Sequence, residues 1–295
     1  MTGLAIKTDG TYVDGTFGRG GHSAAILQRL EHGHLLALDK DPEAIATAQR
    51  LFADDQRITI RQQSFAHMAE AVTEQSWLGK VDGILLDLGV SSPQLDDPQR
   101  GFSFQQEGPL DMRMDPHKGR SAAQWLAQAE EREIAQVLKE YGEERFAKRI
   151  ARAIVTARAE SPIDTTRRLA AIVAAANPKW EQGKDPATRS FQAIRIFINQ
   201  ELDDLRQCLE QVLDILKPGG RLVVISFHSL EDRIIKRFIR EQSRGDRFPP
   251  DLPVTHMQLQ PRMLAVGKAI RATDEEITRN PRARSAVMRV AEKLA

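Results

Sequence analysis

The sequence contains one cysteine, two tyrosines and three tryptophans among 295 residues, and it has no apolar run near the roughly 20 residues that cross a bilayer. A single cysteine excludes an internal disulfide and a zinc site made of several thiolates. The N-terminus lacks the charged and then apolar segments of a secretory signal peptide. These absences favour a cytoplasmic protein that does not enter a membrane.

The composition that is present is typical of a folded domain, with 41% hydrophobic and 28% charged residues. The 42 basic and 41 acidic residues give a net charge of +1, which identifies no partner. Cys208 lies among Leu205, Leu209 and Val212. This setting predicts a small buried hydrophobe rather than a reactive thiol.

Short apolar runs alternate with helical patterns along the chain. Helices are predicted at residues 23–30 and 41–52, the second with Asp41 as N-cap and Pro42 in its first turn. This alternation is typical of an α/β fold with a parallel sheet and helices on both faces. The predicted strands are TYVD (11–14), HLLALD (34–39), ITIRQ (58–62), GILLDL (83–88), RLVVIS (221–226) and SAVMRVAE (285–292).

The fourth and fifth of these strands are separated by about 130 residues, far more than one crossover helix requires. We therefore predict a mainly helical domain at residues 98–189, inserted into a sheet domain formed by residues 1–97 and 190–295. One amphipathic helix is predicted from Phe191 to Leu216. The Pro-Gly-Gly at 218–220 is predicted to turn the chain into the next strand.

The stretch VDGTFGRGGH (13–22) places four glycines within seven residues directly after a strand. Glycine is favoured where the backbone turns tightly or where a ligand touches it. A dehydrogenase G-x-G-x-x-G pattern starting at Gly18 would need glycine at position 23, where Ser23 stands, so a nicotinamide oxidoreductase is a disfavoured alternative. The acid-x-x-x-G-x-G spacing from Asp14 to Gly20 fits nucleoside-dependent methyltransferases.

Three predicted strands end on or beside an acidic residue, namely Asp14, Asp39 and Asp87. Parallel strands bring their carboxyl ends to one edge of the sheet, where open α/β folds bind ligands. Asp39 lies about twenty residues after the glycine turn, where a carboxylate accepts both hydroxyls of a ribose. A solvated strand end is the alternative interpretation of Asp39.

Eight motifs together resemble the ribosomal RNA small subunit methyltransferase H family, also called MraW, over nearly the whole chain. They are YVDGTFGRGGHS (12–23), LDKDP (38–42), GILLDLGVSSPQLDDPQRGFSF (83–104), GPLDMRMD (108–115), YGEERFAKRIARAI (141–154), FQAIRIFINQEL (191–202), KPGGRLVVISFHSLEDRIIKRF (217–238) and NPRARSAVMR (280–289). The resemblance implies a Rossmann-like methyltransferase fold with an inserted helical domain. It also implies methyl transfer from S-adenosylmethionine to the exocyclic N4 of a cytidine in small-subunit (16S) ribosomal RNA. Members usually carry a His-x-x-Val-Leu-like motif before the first strand, whereas only MTGLAIKTDG precedes Tyr12, so we expect that the sequence begins late.

The same resemblance implies a set of site residues. Gly20, Gly21 and His22 would contact the methionine end of the cofactor, Asp39 the ribose and Phe65 the adenine, while Asp87 and Gln94 would complete the cofactor and target site. Three of these side chains have simpler interpretations. Phe65 is also interpretable as an ordinary core aromatic, His22 as a surface residue that caps a helix, and Gln94 as a solvated loop amide.

The implied reaction requires no metal and no covalent nucleophile, because a sulfonium is already an activated methyl donor. The acceptor is less reactive, since the amine lone pair of cytosine is delocalised into the ring. Asp87 is predicted to accept a hydrogen bond from this amine and to stabilise positive charge on nitrogen. The base must be single-stranded or flipped, and Phe102, Phe104 or Phe227 is predicted to stack on it.

The segment SFHSLED (226–232) contains the residue types of a hydrolase triad in Ser229, His228 and Asp232. Proximity in sequence is not triad geometry. We instead predict that Ser229 and Asp232 cap the helix that begins there.

Two basic stripes at helical spacing favour RNA as the partner, although each also fits a solvated helix face. They are Arg145, Lys148, Arg149 and Arg152, and Arg233, Lys236, Arg237 and Arg240, with Arg282 and Arg284 near the end. The sequence leaves open whether the substrate is free RNA or an assembled subunit, and whether the protein is a monomer or a homodimer. A non-catalytic RNA-binding or ribosome assembly factor with a nucleoside pocket is the alternative function.

Overall fold

The computed structural model describes residues 2–179, 185–245 and 259–295, which contain one eight-stranded sheet. Five parallel strands form its main part, and their order reverses direction between the third and fourth. In spatial order they are β3 (Ile58–Gln62), β2 (His34–Asp39), β1 (Thr11–Asp14), β4 (Val81–Asp87) and β5 (Leu216–Ser226). β8 (Val287–Lys293) runs antiparallel beside β5 and pairs with β6 (Met263–Ala265) and β7 (Ile270–Arg271).

The chain divides into two compact units, Met1–Gly89 with Leu202–Ala295, and Val90–Glu201. We call them the sheet unit and the helical unit. The sheet unit also contains α1 (Gly21–Leu27), α2 (Pro42–Leu51), α3 (Met68–Glu74), α11 (Ser229–Arg244) and α12 (Asp274–Arg279). The helical unit contains α4 (Ser92–Asp96), α5 (Ala122–Gln128), α6 (Glu131–Gly142), α7 (Ala147–Glu160), α8 (Thr166–Ala176) and α9 (Thr188–Asn199).

Both faces of the parallel sheet are covered, as the near-continuous apolar strands predict. Successive residues of a strand point to opposite faces. Tyr12 therefore joins a cluster with Ile26 of α1, whereas Val13 joins a cluster with α3, α11 and the helix that precedes β5. Asp41 caps α2 as predicted, because its side chain accepts a hydrogen bond from the Glu43 N–H at 2.9 Å.

The helical unit has its own core, in which Trp125, Leu138 and Ile150 are almost fully buried. Its bounds are wider than residues 98–189. Leu95 of α4 packs against this core, and α9 contributes Ile194. Each end of the unit therefore extends to the last helix that shares its core.

The single helix predicted from Phe191 to Leu216 is wrong, because the structure has two helices there, α9 and α10 (Glu201–Ile215). Gln200 ends α9 with a φ of 53°, in the left-handed region. Arg195 and Glu201 pair across the break, with 2.8 Å between Nε and Oε1. The apolar periodicity continues through this break, so the pattern alone gave no sign of it.

The Pro-Gly-Gly segment lies inside β5 and not before it. Val81 pairs with Leu216 and Gly83 pairs with Arg221. An advance of two residues along β4 therefore matches an advance of five residues along β5. Residues 217–220 therefore bulge out of the ladder, and Gly219 has a φ of 75°. The predicted turn is present as a bulge within the strand.

The start of α11 differs from its prediction by one residue. His228 is the N-cap, and Glu231 accepts a hydrogen bond from the Phe227 N–H at 2.9 Å. The Asp232 carboxylate instead accepts two hydrogen bonds from Arg289, at 2.7 and 3.0 Å. It therefore does not orient His228 as a hydrolase triad would require.

Cys208 is fully buried, which confirms its prediction as a core residue. Burial raises the pKa of its thiol to about 12, so the thiolate is strongly disfavoured. Within the residues that the structure describes, no helix is both long enough and apolar enough to span a bilayer.

Candidate functional site

The three acidic residues singled out in the sequence share one edge of the sheet. Asp14, Asp39 and Asp87 are the last residues of β1, β2 and β4, which are adjacent and parallel. The strand order changes direction between β1 and β4, so Asp14 and Asp87 flank this switch point. Open parallel sheets bind ligands in the crevice at such a point. The predicted convergence of the three acids is confirmed.

Asp14 is completely buried and holds the turn that follows β1. Its carboxylate accepts hydrogen bonds from the Thr16 N–H at 3.1 Å and from the Ser23 hydroxyl at 2.7 Å. Burial raises the pKa of this carboxyl, and the two donors oppose that shift. Asp14 therefore fixes the glycine turn between β1 and α1.

Gly20 and Gly21 have different roles in this turn. Gly20 has a φ of 79°, and a Cβ at this position would lie 2.6 Å from Cζ of Phe17. The backbone and the Phe17 ring therefore require glycine at position 20. A Cβ on Gly21 would have no heavy atom within 4 Å among the described residues, so the main chain borders open space there.

Asp39 connects the glycine turn to the end of β2. Its Oδ2 accepts a hydrogen bond from the Gly18 N–H at 2.8 Å, and its Oδ1 accepts one from the Asp41 N–H at 2.9 Å. Burial raises the pKa of this carboxyl to about 6. Since each carboxylate oxygen can accept a second hydrogen bond, Asp39 retains capacity for a hydroxyl donor.

Asp87 is held from two sides. Its N–H donates to Thr16 Oγ1 at 2.6 Å, and its Oδ2 lies 3.3 Å from Nε2 of His22. This contact raises the pKa of His22, because the carboxylate stabilises the imidazolium. The second oxygen, Oδ1, is buried and has no hydrogen-bond donor among the described residues. One oxygen of Asp87 is therefore paired with His22, and the other lacks a donor in the described part of the chain.

Phe65 and Phe227 are half-buried aromatic residues of the sheet unit near these acids. Phe65 follows β3. Its Cβ lies 3.1 Å from the position that a Cβ on Gly15, next to Asp14, would take. It also packs partly against the core, as expected of a core aromatic, and its predicted contact with the adenine stays a prediction. Cδ2 of Phe227 lies 4.0 Å from the position that a Cβ on Gly89 would take, and Gly89 is two residues after Asp87.

The other two aromatic candidates belong to the helical unit. Phe102 is 5% exposed and lies in the core of that unit, with the Arg100 guanidinium 5.8 Å from its ring centroid. Core packing occupies its ring, which disfavours Phe102 among the three aromatic residues predicted as alternatives for stacking on a base. Phe104 packs edge-on against Phe191, with 4.8 Å between ring centroids.

Gln94 is buried in the helical unit, so its interpretation as a solvated loop amide is wrong. Its Oε1 accepts a hydrogen bond from the Ser91 N–H at 2.9 Å, which closes a capping box at the start of α4. Its predicted contact with the cofactor and target stays a prediction.

Sequence reasoning missed Thr16, Lys40, Ser64 and Asp204. Thr16 lies inside the glycine motif, where a hydroxyl beside a strand end was a detectable signal. Asp204 Oδ2 accepts hydrogen bonds from Lys40 Nζ and Ser64 Oγ, which are 164 and 140 residues away in sequence. No local pattern could have indicated that network.

The sheet order and the acidic switch point define a Rossmann-like α/β fold with a ligand crevice at this edge. The chain belongs to the MraW methylase family, whose sequence pattern matches residues 1–294. It is 60% identical to the ribosomal RNA small subunit methyltransferase H of Pseudoalteromonas atlantica over an alignment 297 positions long, which covers 100% of this chain and 95% of that protein. It is also 60% identical to the protein of the same name from Thioalkalivibrio sulfidiphilus, over 99% of this chain and 94% of that protein. A solved ribosomal RNA methylase from Streptococcus thermophilus aligns with 100% of this chain and 93% of its own, at 11% identity and a TM-score of 0.46.

The protein is accordingly a methylase that uses S-adenosylmethionine. Three observations in the sheet unit fit this group. Gly21 borders open space, the Asp39 carboxylate can accept hydroxyl donors, and Asp87 Oδ1 lacks a donor within the described part of the chain. A nucleoside with a cationic sulfonium supplies both the donors and the charge that these carboxylates favour.

Gly21→Ala should affect folding and cofactor binding in opposite directions. The added methyl group meets nothing in the free protein, and alanine restricts the unfolded chain, so we expect the free energy of unfolding to rise by about 0.4–1 kcal/mol. S-adenosylhomocysteine should bind more weakly, because the methyl group enters the space beside the backbone. Thermal unfolding and titration calorimetry measure the two effects. Gly20→Ala is the matched control, since it should lower stability; undiminished binding by Gly21→Ala would exclude a ligand contact there.

Asp39 should give cofactor binding a pH dependence. The ionised carboxylate is the form predicted to accept ribose hydroxyls, and burial raises its pKa to about 6, so affinity should increase as pH rises through about 6 and then level off. Asp39→Asn should remove this step and weaken binding at pH 8 about 10- to 100-fold, equivalent to about 1.5–3 kcal/mol for a charged hydrogen bond. Calorimetry from pH 5 to 8 tests both statements. An identical pH profile in parent and variant would contradict the ribose assignment.

Proposed function

We propose that this protein transfers the methyl group of S-adenosylmethionine to the exocyclic N4 of a cytidine in small-subunit (16S) ribosomal RNA, in the cytoplasm. The names of relatives at 57–60% identity support the RNA class. The observation that carries the chemistry is Asp87, a strand-end carboxylate with one buried oxygen that has no donor among the described residues. The cofactor supplies a methyl group on a sulfonium, which needs no further activation.

Asp87 would act on the acceptor amine. A buried acceptor without a partner costs about 1–3 kcal/mol, and an N–H of cytosine would remove that cost by donating to Oδ1. The hydrogen bond would strengthen as positive charge develops on N4, so it stabilises the transition state more than the bound substrate. After transfer, the N–H bond would break and Asp87 would take the proton.

His22 would keep this carboxylate in position. Its Nε2 lies 3.3 Å from Asp87 Oδ2, while Thr16 Oγ1 holds the Asp87 backbone from the other side. The contact raises the pKa of His22, so the protonated imidazole pairs with the carboxylate. This adds an orienting role to the cofactor contact expected of His22.

Phe227 is the aromatic residue that we propose for stacking on the target base. It follows β5 and lies beside Gly89, close to the end of β4. Its ring is half-buried, which leaves surface for a flat ligand. A base reaches such a site only when it is single-stranded or flipped out of a duplex.

The helical unit, Val90–Glu201, is proposed to recognise the RNA as the inserted substrate-recognition domain. Lys148, Arg149 and Arg152 of α7 are exposed, whereas Ile150 on the opposite side is buried. Arg145 is exposed too, but it lies in the turn before α7 and not on the helix as its spacing predicted. A basic stripe backed by an apolar face is suited to phosphate contact. The second stripe, on α11, is exposed as well and is proposed to assist; its members are Arg233, Lys236, Arg237 and Arg240.

Asp87→Asn tests the catalytic assignment. Asparagine keeps the size of the side chain and removes its charge, so we expect the single-turnover rate at saturating cofactor and RNA to fall about 100-fold or more. Transfer of labelled methyl to 16S RNA, followed by mass spectrometry of the nucleosides, measures the rate and identifies the product. Naked RNA and assembled small subunits serve as parallel substrates.

Two outcomes of that experiment would contradict the proposal in different ways. A near-parental saturated rate would show that Asp87 only helps to bind the cofactor. No methyl transfer by the parent protein to either substrate, despite RNA binding, would support the non-catalytic assembly factor instead.

Replacing Lys148, Arg149 and Arg152 together with glutamine tests the basic stripe of α7. Each lost phosphate contact should reduce the slope of log affinity against log salt by about one, so we expect weaker RNA binding with a flatter salt dependence. Affinity for S-adenosylhomocysteine should not change. Fluorescence anisotropy at salt concentrations from about 50 to about 300 mM gives the slope. Equal slopes in parent and variant would identify a solvated helix face.

A further inference from the structure

The helix α10 contacts two of the loops that carry the proposed cofactor residues. Oδ2 of Asp204, in the first turn of α10, accepts a hydrogen bond from Lys40 Nζ at 2.6 Å and another from Ser64 Oγ at 2.7 Å. Lys40 directly follows Asp39 at the end of β2, and Ser64 directly precedes Phe65 after β3. A single carboxylate oxygen therefore connects the two loops.

This connection is shielded from water. The Asp204 and Lys40 side chains are 15% and 22% exposed, so the ion pair is less screened than a pair on the open surface. Both hydrogen bonds are short and involve a charged acceptor, which makes them stronger than neutral ones. They restrict how far the two loops can separate.

A second residue of α10 holds the same loop. Gln211, two helical turns after Asp204, donates to the Ala66 carbonyl at 2.5 Å and accepts from the Ala69 N–H at 2.8 Å. The segment 64–69 is thus attached to α10 at both ends. Phe65 lies between these attachments, so the position of its backbone depends on α10.

We propose that Asp204 is a positioning residue for the nucleoside end of the cofactor. It sets the separation between the Asp39 carboxylate and the Phe65 ring by holding the neighbour of each. The proposal rests on the proposed function, because it takes Asp39 as the ribose contact and Phe65 as the adenine contact. Asp204 acts on the Asp39 carboxylate and the Phe65 ring through its hydrogen bonds to Lys40 and Ser64.

Asp204→Asn tests the proposal, with Asp203→Asn as the matched control. Asp203 is the preceding residue of the same helix, and its exposed side chain pairs with Arg206 at 2.6 Å. We expect Asp204→Asn to weaken binding of S-adenosylhomocysteine about tenfold, whereas Asp203→Asn should stay within about twofold of the parent. Adenosine should lose the same factor as S-adenosylhomocysteine, since the effect lies at the nucleoside end.

Three results would overturn the proposal. They are parental affinity in a folded Asp204→Asn protein, an equal loss in Asp203→Asn, or a loss for S-adenosylhomocysteine that adenosine does not share. If Asp204→Asn does not fold, Ser64→Ala decides instead, because it removes the hydrogen bond to Asp204 and keeps the ion pair. It also removes the 3.2 Å hydrogen bond that Ser64 Oγ accepts from the Ala66 N–H, and it should weaken both ligands by a smaller factor. Failure of the proposed site is distinguishable, since Asp39→Asn would then bind S-adenosylhomocysteine as the parent does.

Discussion

The buried carboxylate of Asp14 is the constraint on which the site depends. Its hydrogen bonds to the Thr16 N–H and the Ser23 hydroxyl fix the turn between β1 and α1. That turn then places Thr16 Oγ1 against the Asp87 backbone and the Gly18 N–H against Asp39. One buried acid therefore holds the turn that contacts the ends of both neighbouring strands, and the glycines permit the path of that turn.

The electrostatics of the site follow from the same arrangement. Three carboxylates end adjacent strands, and burial together with mutual repulsion raises the pKa values of Asp14 and Asp39. His22 is the cationic partner that the structure gives to Asp87. An excess of negative charge at a sheet edge favours a ligand that brings hydrogen-bond donors and a positive centre. This is the property that joins cofactor binding to methyl transfer at one edge.

The path of the chain relates the helical unit to the site. The chain leaves the sheet unit at Gly89, two residues after Asp87, and returns to it at Leu202, two residues before Asp204. Both junctions therefore adjoin residues that we assign to the site. Gln200 interrupts the helical path just before the return, and the Arg195–Glu201 pair closes that break. An insertion at the carboxyl end of β4 thus leaves the order of the five parallel strands intact.

The sequence by itself determined the parallel sheet, the cap of α2, the buried thiol at Cys208 and the acids at one edge, because these depend on local periodicity and on residues close together in the chain. The resemblance of its motifs indicated the family. Only the tertiary structure decided the break at Gln200, the bulge within β5, the core position of Phe102 and the contacts of Asp204. The physical reason is separation along the chain: a left-handed residue leaves the apolar pattern intact, and a carboxylate that joins loops 140 and 164 residues away has no local signature.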